Sequence, residues 1–401
     1  MRANAYDRVE RARLPASIGQ TLNPEATTAI PVLKLPRILA LMPGLALCLL
    51  LVAGGPAASD EMRSALLPAP AAHINHAPGI IELPSGRLLV CWYSGTTEAN
   101  EDTAILCSDS EDGGANWGLP TLAAEPGGRA IGAVEANKSL GNVALFLDAA
   151  RRLWMIHGVI QRWTIPLIGN VCRNWVCGRV DLQMSVDEGA SWLPAVRFDD
   201  QSGALPRAKP LHHPTLGDLV PLYREASRTA YVRTLDFAAL WPRERPASHI
   251  LEIPGNNMIQ PSLVLLPNGK VRAFLRDSDH TAIRTALLDP ATATWSAAEP
   301  TDLPNPDSGL DAFIDDAGEI VVIHNPSTTN RHALMLSASA DGVHFTRHCN
   351  LVAARTQGDV AYPAVIRSSD GIWHIAYSAH GKTEIRHISF DAAWLKRCLG
   401  R

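Results

Sequence analysis

Four side chains that can bind anions or move protons are spread over most of this chain: His76, Arg276, Arg331 and Tyr362. Two guanidinium groups side by side bind a carboxylate through paired hydrogen bonds. Histidine and tyrosine can exchange a proton with a bound ligand, and an ionised tyrosine is also a nucleophile. The sequence therefore predicts a site for an acidic ligand, provided that the fold brings these distant residues together.

A repeated turn indicates which fold could do so. Its pattern is Ser/Thr-x-Asp-x-Gly/Ala-x-x-aromatic, called the Asp turn below. Intact and eroded copies end at Trp117, Trp192, Trp241, Trp295, Phe345 and Trp394. After the first interval these aromatics are about 50 residues apart, a period typical of propeller blades. The Asp and Ser side chains of such turns bond to the turn's own backbone, so we expect structural rather than catalytic roles for them.

A second signal, a hairpin, precedes each Asp turn. Turn residues separate apolar, strand-like runs at Gly86, Asp148–Ala150, Gly217, Gly269, Gly318 and Gly371. One hairpin and one Asp turn make a four-stranded antiparallel unit. We therefore predict an all-β fold, a six-bladed β-propeller of four-stranded antiparallel blades over residues 70–398.

The composition excludes several classes of function. The 401 residues are 46% hydrophobic and carry a formal net charge of −4 without a basic run, so nucleic-acid binding has no electrostatic support. No glycine-rich phosphate loop opens a helix, and Cys172 and Cys177 lack the companion Cys/His pair of a zinc site, so neither a cofactor nor a metal is expected.

Residues 1–60 are predicted to lie outside the propeller as an N-terminal tail. An apolar run over residues 38–53 follows Lys34 and Arg37 and precedes small residues, the pattern of a secretory signal peptide. We expect an exported protein, periplasmic or secreted. The run could instead be retained as an anchor in the inner membrane, although it is short for a membrane span.

Cysteine usage agrees with export. Cys48 lies in the apolar run, and the other six cysteines are even in number. Cys172 and Cys177 bracket a short loop and form the best candidate disulfide, since no companion Cys/His pair suggests a zinc site. This loop belongs to an insertion over residues 161–178, and insertions of this kind often decorate the binding face of a propeller.

The chain resembles the sialidase (neuraminidase) superfamily in its BNR/Asp-box branch over about residues 70–395. The resemblance rests on the Asp turns, the blade count, Gln260-Pro261-Ser262-Leu263 and Leu303-Pro304-Asn305-Pro306. It implies a site in which three arginines bind a sugar carboxylate, an Asp is the acid/base, and a Tyr nucleophile is activated by a Glu.

Matched position by position, the resemblance assigns Asp102 as acid/base, Tyr362 as nucleophile, and Arg276 and Arg331 as carboxylate ligands. Two positions depart from the family pattern. His76, in His76-Ala77-Pro78, replaces the first arginine, and Gln260 replaces the activating Glu. An amide cannot take the proton of a phenol, and a histidine substitutes for an arginine only when it is protonated.

Alternatives remain open at this point. Glu225, in Tyr223-Arg224-Glu225, could supply the missing base, with Tyr223 beside it in the substrate-binding set. A polysaccharide lyase could use His76 or Tyr362 to abstract the C5 proton of a uronate. A non-catalytic glycan-binding propeller is the third reading. In each case the expected partner is an acidic glycan or polysaccharide.

Each candidate also fits a purely structural role when it is taken singly. Arg276 could pair with Asp277 or Asp279 at the surface, and Asp102 could be a solvated loop carboxylate. His212 and His213, inside a predicted strand, are expected to be structural. Convergence of the candidate residues on one mouth of the propeller is therefore the decisive test.

Overall fold

The computed structural model confirms the six-bladed propeller, and it describes residues 61–165, 167, 169–172, 174–237, 248–354 and 358–401. The N-terminal tail with its apolar run and Cys48 lies outside these residues. Six antiparallel sheets follow one another along the chain. The first three blades contain the following strands: β2 (Ile74–Glu82), β3 (Leu88–Gly95), β4 (Ala104–Ser110) and β5 (Thr121–Ala124) in blade 1; β6 (Asn137–Leu147), β7 (Leu153–Gln161), β10 (Gly178–Ser185) and β11 (Val196–Asp199) in blade 2; β12 (Ala204–Pro206), β13 (Leu211–His213), β14 (Gly217–Arg224), β15 (Thr229–Leu235) and β16 (Ile250–Ile253) in blade 3.

The last three blades have the same antiparallel order, and the sixth is completed by the first strand of the described chain. They contain the following strands: β17 (Met258–Leu265), β18 (Val271–Asp277), β19 (Ala282–Asp289), β20 (Thr294–Trp295) and β21 (Glu299–Pro304) in blade 4; β22 (Asp311–Ile314), β23 (Ile320–His324), β24 (Leu334–Ser339) and β25 (Arg347–Val352) in blade 5; β26 (Ala361–Arg367), β27 (Trp373–Ala379), β28 (Glu384–Phe390) and β1 (Arg63–Leu66) in blade 6. In blades 3 and 4 one edge strand is split in two, because β12 and β13 both pair with β14, and β20 and β21 both pair with β19.

Strand β1 closes the ring. It pairs with β28 in antiparallel register from Arg63 opposite Ser389 to Leu66 opposite Arg386. The sheet of blade 6 therefore includes residues that precede position 70, where the sequence predicted the propeller to begin. Closure of this kind leaves the first and last blades joined by backbone hydrogen bonds and not by side chains alone.

Apolar side chains fill the spaces between neighbouring blades. One cluster lies between blades 2 and 3 around Tyr231 and Phe237, and another lies between blades 5 and 6 around Phe313 and Trp373. The first strands of the blades contact one another around the axis, with β2 against both β6 and β26. Residues on these innermost strands therefore lie around the axis of the ring.

The best-preserved Asp turns work as the sequence predicted. Asp112 accepts hydrogen bonds from Ser110 Oγ and from the backbone and side chain of Asn116, at 2.7–2.9 Å. These bonds hold the pKa of Asp112 at about 2. Trp117 then packs edge-on against His387 of blade 6, with ring centroids 5.2 Å apart. The carboxylate serves the turn, and the aromatic fills the space toward the adjacent blade.

The sixth Asp turn was predicted wrongly. Asp391 is the N-cap of the helix α1 (Ala392–Cys398) and accepts a hydrogen bond from the backbone of Trp394. The segment has no glycine to adopt the left-handed turn, and a free Asp before a helical run caps it. The third copy, up to Trp241, falls partly outside the described residues.

Three disulfides join described residues, including the predicted pair Cys172–Cys177. The other two join Cys91 to Cys107 and Cys349 to Cys398. None of the helices described is both long and apolar enough to cross a membrane. His213 bonds to the carbonyl of Gly269 at 2.8 Å, in agreement with the structural role expected for it.

Candidate active site

Three innermost strands break their register at a residue that directly precedes a proline. These residues are Ala77 on β2, Gln260 on β17 and Tyr362 on β26, and their backbone φ angles are 53°, 55° and 57°. Left-handed backbone at non-glycine residues is unusual, and bulges of this kind re-aim side chains beside functional sites. The same local distortion in blades 1, 4 and 6 therefore marks one region of the propeller.

Tyr362 is the point on which the candidate residues converge. Arg276 Nη1 donates a hydrogen bond to its Oη at 2.5 Å, and Gln260 Nε2 donates to the same oxygen at 3.4 Å. The ring centroid of His76 is 4.3 Å from that of Tyr362, and the guanidinium of Arg331 is 5.9 Å away. The structure thus brings together five of the six residues that the sequence assigned to one mouth.

The electrostatics of this cluster favour ionisation of Tyr362. Burial alone would raise the pKa of the phenol, but the positive charges of Arg276 and Arg331 and the hydrogen bond from Gln260 outweigh it, so the pKa lies below its ordinary value. The phenolate therefore forms more readily here than in water, although none of the described carboxylates is hydrogen-bonded to Tyr362 to accept its proton.

Asp307, which the sequence did not single out, joins the two arginines. Its Oδ1 accepts a hydrogen bond from Arg276 Nε at 2.6 Å, and its backbone carbonyl accepts one from Arg331. It lies just after the Leu303–Pro306 segment with left-handed backbone, φ 53°. Burial opposes ionisation of Asp307, but Arg276 keeps the pKa of its carboxyl below the usual value. The proposed surface pairing of Arg276 with Asp277 or Asp279 is wrong.

Asp277 turns away to other partners, which explains that error. It accepts hydrogen bonds from Thr281 and from Arg284, the latter at 3.2 Å. Arg276 and Asp277 are neighbours on β18, and side chains alternate faces along a strand. Adjacent residues therefore cannot pair, whereas Asp307 reaches Arg276 from the loop that joins blade 4 to blade 5.

His76 is neutral in this site. It is almost completely buried, and its Nδ1 lies 2.8 Å from Ser378 Oγ. Burial and the nearby cations, Lys382 first among them, hold the pKa of His76 well below its ordinary value. The imidazole therefore does not replace the charge of the arginine that stands at this position in the family pattern.

Asp102 lies at the rim, apart from the cluster. Its carboxylate is exposed and accepts hydrogen bonds from the backbone of Thr96 at 3.0 Å and from Asn100 Nδ2 at 2.9 Å. The slight burial opposes ionisation, but these bonds keep the pKa of Asp102 below its usual value. Among the described residues its hydrogen bonds stay within its own loop, between β3 and β4, so the structure does not join it to Tyr362.

Glu98, from the same loop, reaches inward instead and was missed by the sequence analysis. Its Oε1 accepts hydrogen bonds from Tyr93 Oη at 3.0 Å and from Trp175 Nε1 at 3.2 Å, and its Oε2 lies 2.9 Å from Lys382 Nζ. Burial opposes ionisation, yet Lys382 keeps the pKa of Glu98 below its usual value. The acidic run Glu98–Asp102 indicated that this loop carries carboxylates, but the sequence could not show which of them faces the site.

The insertion in blade 2 reaches this part of the molecule. It contains β8 (Thr164–Ile165), β9 (Gly169–Asn170) and a 3-10 turn at Trp175–Cys177 that is joined to its own loop by the Cys172–Cys177 disulfide. Trp175 lies against Gly141, where a Cβ would collide with the indole, and 6.1 Å from the ring of Tyr93. The insertion therefore forms one wall beside the site.

Tyr223 and Glu225 take different positions. Tyr223 is buried, and its Oη accepts hydrogen bonds from Asn142 at 3.0 Å and from Gln260 at 3.4 Å. Burial and then the charge of Glu225 raise the pKa of Tyr223. Glu225 itself pairs with Arg228 at 3.5 Å and borders a cleft of about 350 Å³ beside Trp175. No hydrogen bond joins Glu225 to Tyr362 within the described chain, so its position does not favour a role as the missing base.

No group of three His, Cys, Asp or Glu side chains suited to a metal ion occurs among the described residues. The site is instead built from two arginines, a neutral histidine, a glutamine and a tyrosine of lowered pKa. Such a set can bind an acidic ligand and can present a phenolate oxygen to it.

The fold defines the class of protein, a six-bladed propeller of four-stranded antiparallel blades. The chain belongs to the BNR repeat-like domain family, whose pattern matches residues 86–375. A comparison with curated protein sequences finds no match.

Solved structures with the same fold include NanB sialidase from Streptococcus pneumoniae, with a TM-score of 0.63 and 13% identity over 81% of this chain and 69% of that one. The intramolecular trans-sialidase of Ruminococcus gnavus gives a TM-score of 0.63 and 14% identity, covering 80% and 95% of the two chains. A protein of unknown function from Dyadobacter fermentans gives 0.57 and 13%, covering 82% and 98%. These likenesses establish the fold.

Proposed function

We propose that this protein is an exported, sialidase-like glycoside hydrolase that acts on an acidic glycan. The observation that carries the proposal is the 2.5 Å hydrogen bond from Arg276 Nη1 to Tyr362 Oη, inside a cluster that also contains Arg331. Arg276 and Arg331 bind the carboxylate of the sugar, and Tyr362 is the nucleophile. The names of the structural neighbours, two of them sialidases, agree with this substrate class.

The reaction has two steps. In the first, Tyr362 Oη forms a bond to the anomeric carbon, the glycosidic C–O bond breaks, and the departing oxygen takes a proton from Asp102. In the second, Asp102 accepts a proton from water, whose oxygen replaces Tyr362 on the sugar. Because the pKa of Asp102 lies below its usual value in the free protein, it must take up a proton as substrate covers the rim.

The Gln260 substitution changes how the nucleophile is activated. In the family pattern a Glu removes the phenol proton. Here Gln260 accepts a hydrogen bond from Arg276 at 3.3 Å and points its amide N–H toward Tyr362 Oη, so both neighbours stabilise the phenolate. The lost proton goes to solvent before substrate binds, and the arginines raise the population of phenolate above that of a free tyrosine.

A specific observation supports polysaccharide lyase activity as a second candidate. His76 is neutral and its ring lies 4.3 Å from that of Tyr362, so a proton acceptor stands beside the arginines. In such a reaction Tyr362 or His76 takes the C5 proton of a uronate, a C4–C5 double bond forms, and the C4–O bond breaks as its oxygen is protonated.

One experiment separates the readings. The purified full chain is offered an aryl sialoside, and released phenol is measured; in parallel, acidic polysaccharides are followed by the ultraviolet absorbance of an unsaturated uronate. We expect phenol release, and a loss of about a thousandfold or more in Tyr362→Phe. The control is Tyr231→Phe, because Tyr231 is also buried but bonds to Asp199, away from Arg276.

Each outcome decides between the candidates. An increase in the absorbance of unsaturated uronate without phenol release favours the lyase. Glycan binding without either product favours a non-catalytic glycan-binding propeller. Phenol release that survives in Tyr362→Phe removes the assigned nucleophile.

Export is part of the proposal. It is supported by the apolar run over residues 38–53 and by three disulfides, which form in oxidising compartments. Cell fractionation followed by N-terminal sequencing tests it. A mature chain that starts after residue 53 in the periplasm or medium indicates a cleaved signal, and a membrane-bound chain that keeps residues 38–53 indicates an anchor. Recovery of the full chain from the cytoplasm would contradict export.

A further inference from the structure

A fully buried arginine from blade 3 lies against the Tyr362 ring and has no part in the assignments above. Arg207 follows β12, is 2% exposed, and places its guanidinium 5.0 Å from the centroid of Tyr362. Its Nη2 donates to the carbonyl of Pro363 at 2.8 Å, and its Nη1 donates to that of Pro78 at 3.4 Å. These carbonyls directly follow two of the left-handed bulges, Tyr362 and Ala77.

The charge of Arg207 is not neutralised by a contacting carboxylate within the described chain. The carboxylate with the strongest influence on it is Asp311, which is committed elsewhere. Asp311 accepts hydrogen bonds from Lys209 Nζ at 3.0 Å, Ser262 Oγ at 2.6 Å and the backbone of Val365 at 2.8 Å. A buried cation without an ion pair is costly, so its retention calls for a compensating role.

The backbone contacts of Arg207 indicate the first part of that role. The guanidinium of Arg207, in blade 3, donates hydrogen bonds to a carbonyl next to the bulge of blade 1 and to a carbonyl next to the bulge of blade 6. The Nε atom finds no partner among the described residues, so the contacts concentrate on the two carbonyls and on the aromatic ring. Cations attract the face of an aromatic ring, and attract a phenolate more strongly still.

We propose that Arg207 positions the Tyr362 bulge and supplies a third positive charge to the phenol, in place of the charge missing at His76. The inference rests on the proposed function, since it concerns the same nucleophile. It differs from the family pattern, because the cation comes from blade 3 and binds backbone and ring instead of a ligand carboxylate.

Several other titratable groups surround Tyr362 together with Arg207. The titratable and charged groups that face Tyr362 are His76, Tyr93, Glu98, Arg207, Tyr223, Arg276 and Arg331. His76 is neutral, and the pKa values of Tyr93 and Tyr223 are raised, so these three carry no charge near neutral pH. Glu98 opposes ionisation of Tyr362, Arg276 and Arg331 favour it, and Arg207 attracts the ionised phenol.

The test measures ionisation of Tyr362 directly, without substrate. The full chain is titrated from neutral to alkaline pH while phenolate absorbance is followed, and the phase that is absent in Tyr362→Phe belongs to Tyr362. Arg207→Gln removes the charge but keeps a donor for the Pro363 carbonyl, whereas Arg207→Lys keeps the charge. Arg272→Gln is the matched control, since Arg272 is another arginine with a buried, unpartnered Nε, but in blade 4.

In Arg207→Gln we expect the Tyr362 midpoint to rise by about two pH units, from Coulomb's law over the 5.0 Å between the guanidinium and the ring centroid at an effective dielectric constant of about 20. In Arg207→Lys and Arg272→Gln it should stay near that of the parent. An unchanged midpoint in folded Arg207→Gln overturns the inference. If Arg207→Gln does not fold, Arg207→Lys decides, because a midpoint that rises despite the retained charge also overturns it.

The test also separates this inference from the proposed function. A shifted midpoint in a protein that hydrolyses no sialoside keeps the inference and rejects the hydrolase. Hydrolysis that depends on Tyr362, combined with an unshifted midpoint, keeps the hydrolase and rejects the role of Arg207. If the protein is a hydrolase, kcat should fall in Arg207→Gln at neutral pH more than KM rises, and recover as pH approaches the new midpoint.

Discussion

Replacement of Gly309 by alanine is expected to disturb the site although Gly309 has no side chain to do chemistry. Gly309 is buried just before β22, where Gln260, Tyr362 and Arg207 meet. A Cβ at this position would lie 3.0 Å from Gln260 Oε1, 3.3 Å from Tyr362 Cδ1 and 3.4 Å from Arg207 Nε. The absence of a side chain is what lets the three groups approach.

The size of the effect follows from how little these groups can move. The Gln260 oxygen is the tightest contact, and it is itself held by Arg276 Nη1 at 3.3 Å. Overpacking of a buried site by one methyl group costs about 1–3 kcal/mol of the free energy of unfolding. A displacement of a few tenths of an ångström at Tyr362 should also lower kcat/KM by roughly tenfold or more.

Urea unfolding and aryl sialoside turnover measure the two effects in the same preparation. The control is Gly128→Ala, because Gly128 is exposed and a Cβ there meets nothing within 4 Å; its unfolding free energy should change by less than about 0.5 kcal/mol. If Gly309→Ala matches the parent in both measurements, close packing at this point is not what holds Tyr362. A stability loss with unchanged turnover would separate the fold from the site.

Three further predictions concern other parts of the molecule. Asp112→Ala should cost about 1–2 kcal/mol in urea unfolding yet leave turnover unchanged, since its bonds lie within one Asp turn; reduced turnover would contradict a purely structural role. Burial lowers the pKa of His324 to about 4, so the unfolded chain binds this proton first as the pH falls. Between pH 7 and pH 5 the parent should therefore lose about 2 kcal/mol more stability than His324→Asn; equal losses would refute this. Trp175→Ala should raise KM for glycans with only a small loss in the free energy of unfolding. The reason is that the indole is partly exposed and bonds to Glu98 at the wall of the site; an unchanged KM would show that Trp175 does not contact the ligand.

Much of the fold could be predicted because its signals are local. The Asp turn at Ser110–Trp117 closes its hydrogen bonds within eight residues, so its sequence specifies its shape wherever it lies. The hairpin glycines, such as Gly86 with φ 87°, are required by backbone conformation in the same local way. A fixed spacing of such units then counts the blades. Asp391 shows the limit, because the same residue can begin a turn or cap a helix.

The site could be predicted only in part. The resemblance supplied the positions of Arg276 and Tyr362, and the fold brings them into contact across blades 4 and 6. It could not show that Asp307 pairs with Arg276, because that contact depends on how a loop of one blade lies over the next. It also gave no reason to choose Glu98 over Asp102 as the carboxylate that faces inward.

By itself the sequence determined the units: the turns, the hairpins, their period, and the residue types at the blade starts. The tertiary structure alone decided the charge state of the site. His76 is neutral because it is buried among cations, and Tyr362 loses its proton more readily because arginines from different blades surround it. A pKa depends on burial and on charges a few ångströms away, and ring closure of the propeller brings those charges from segments far apart in the chain.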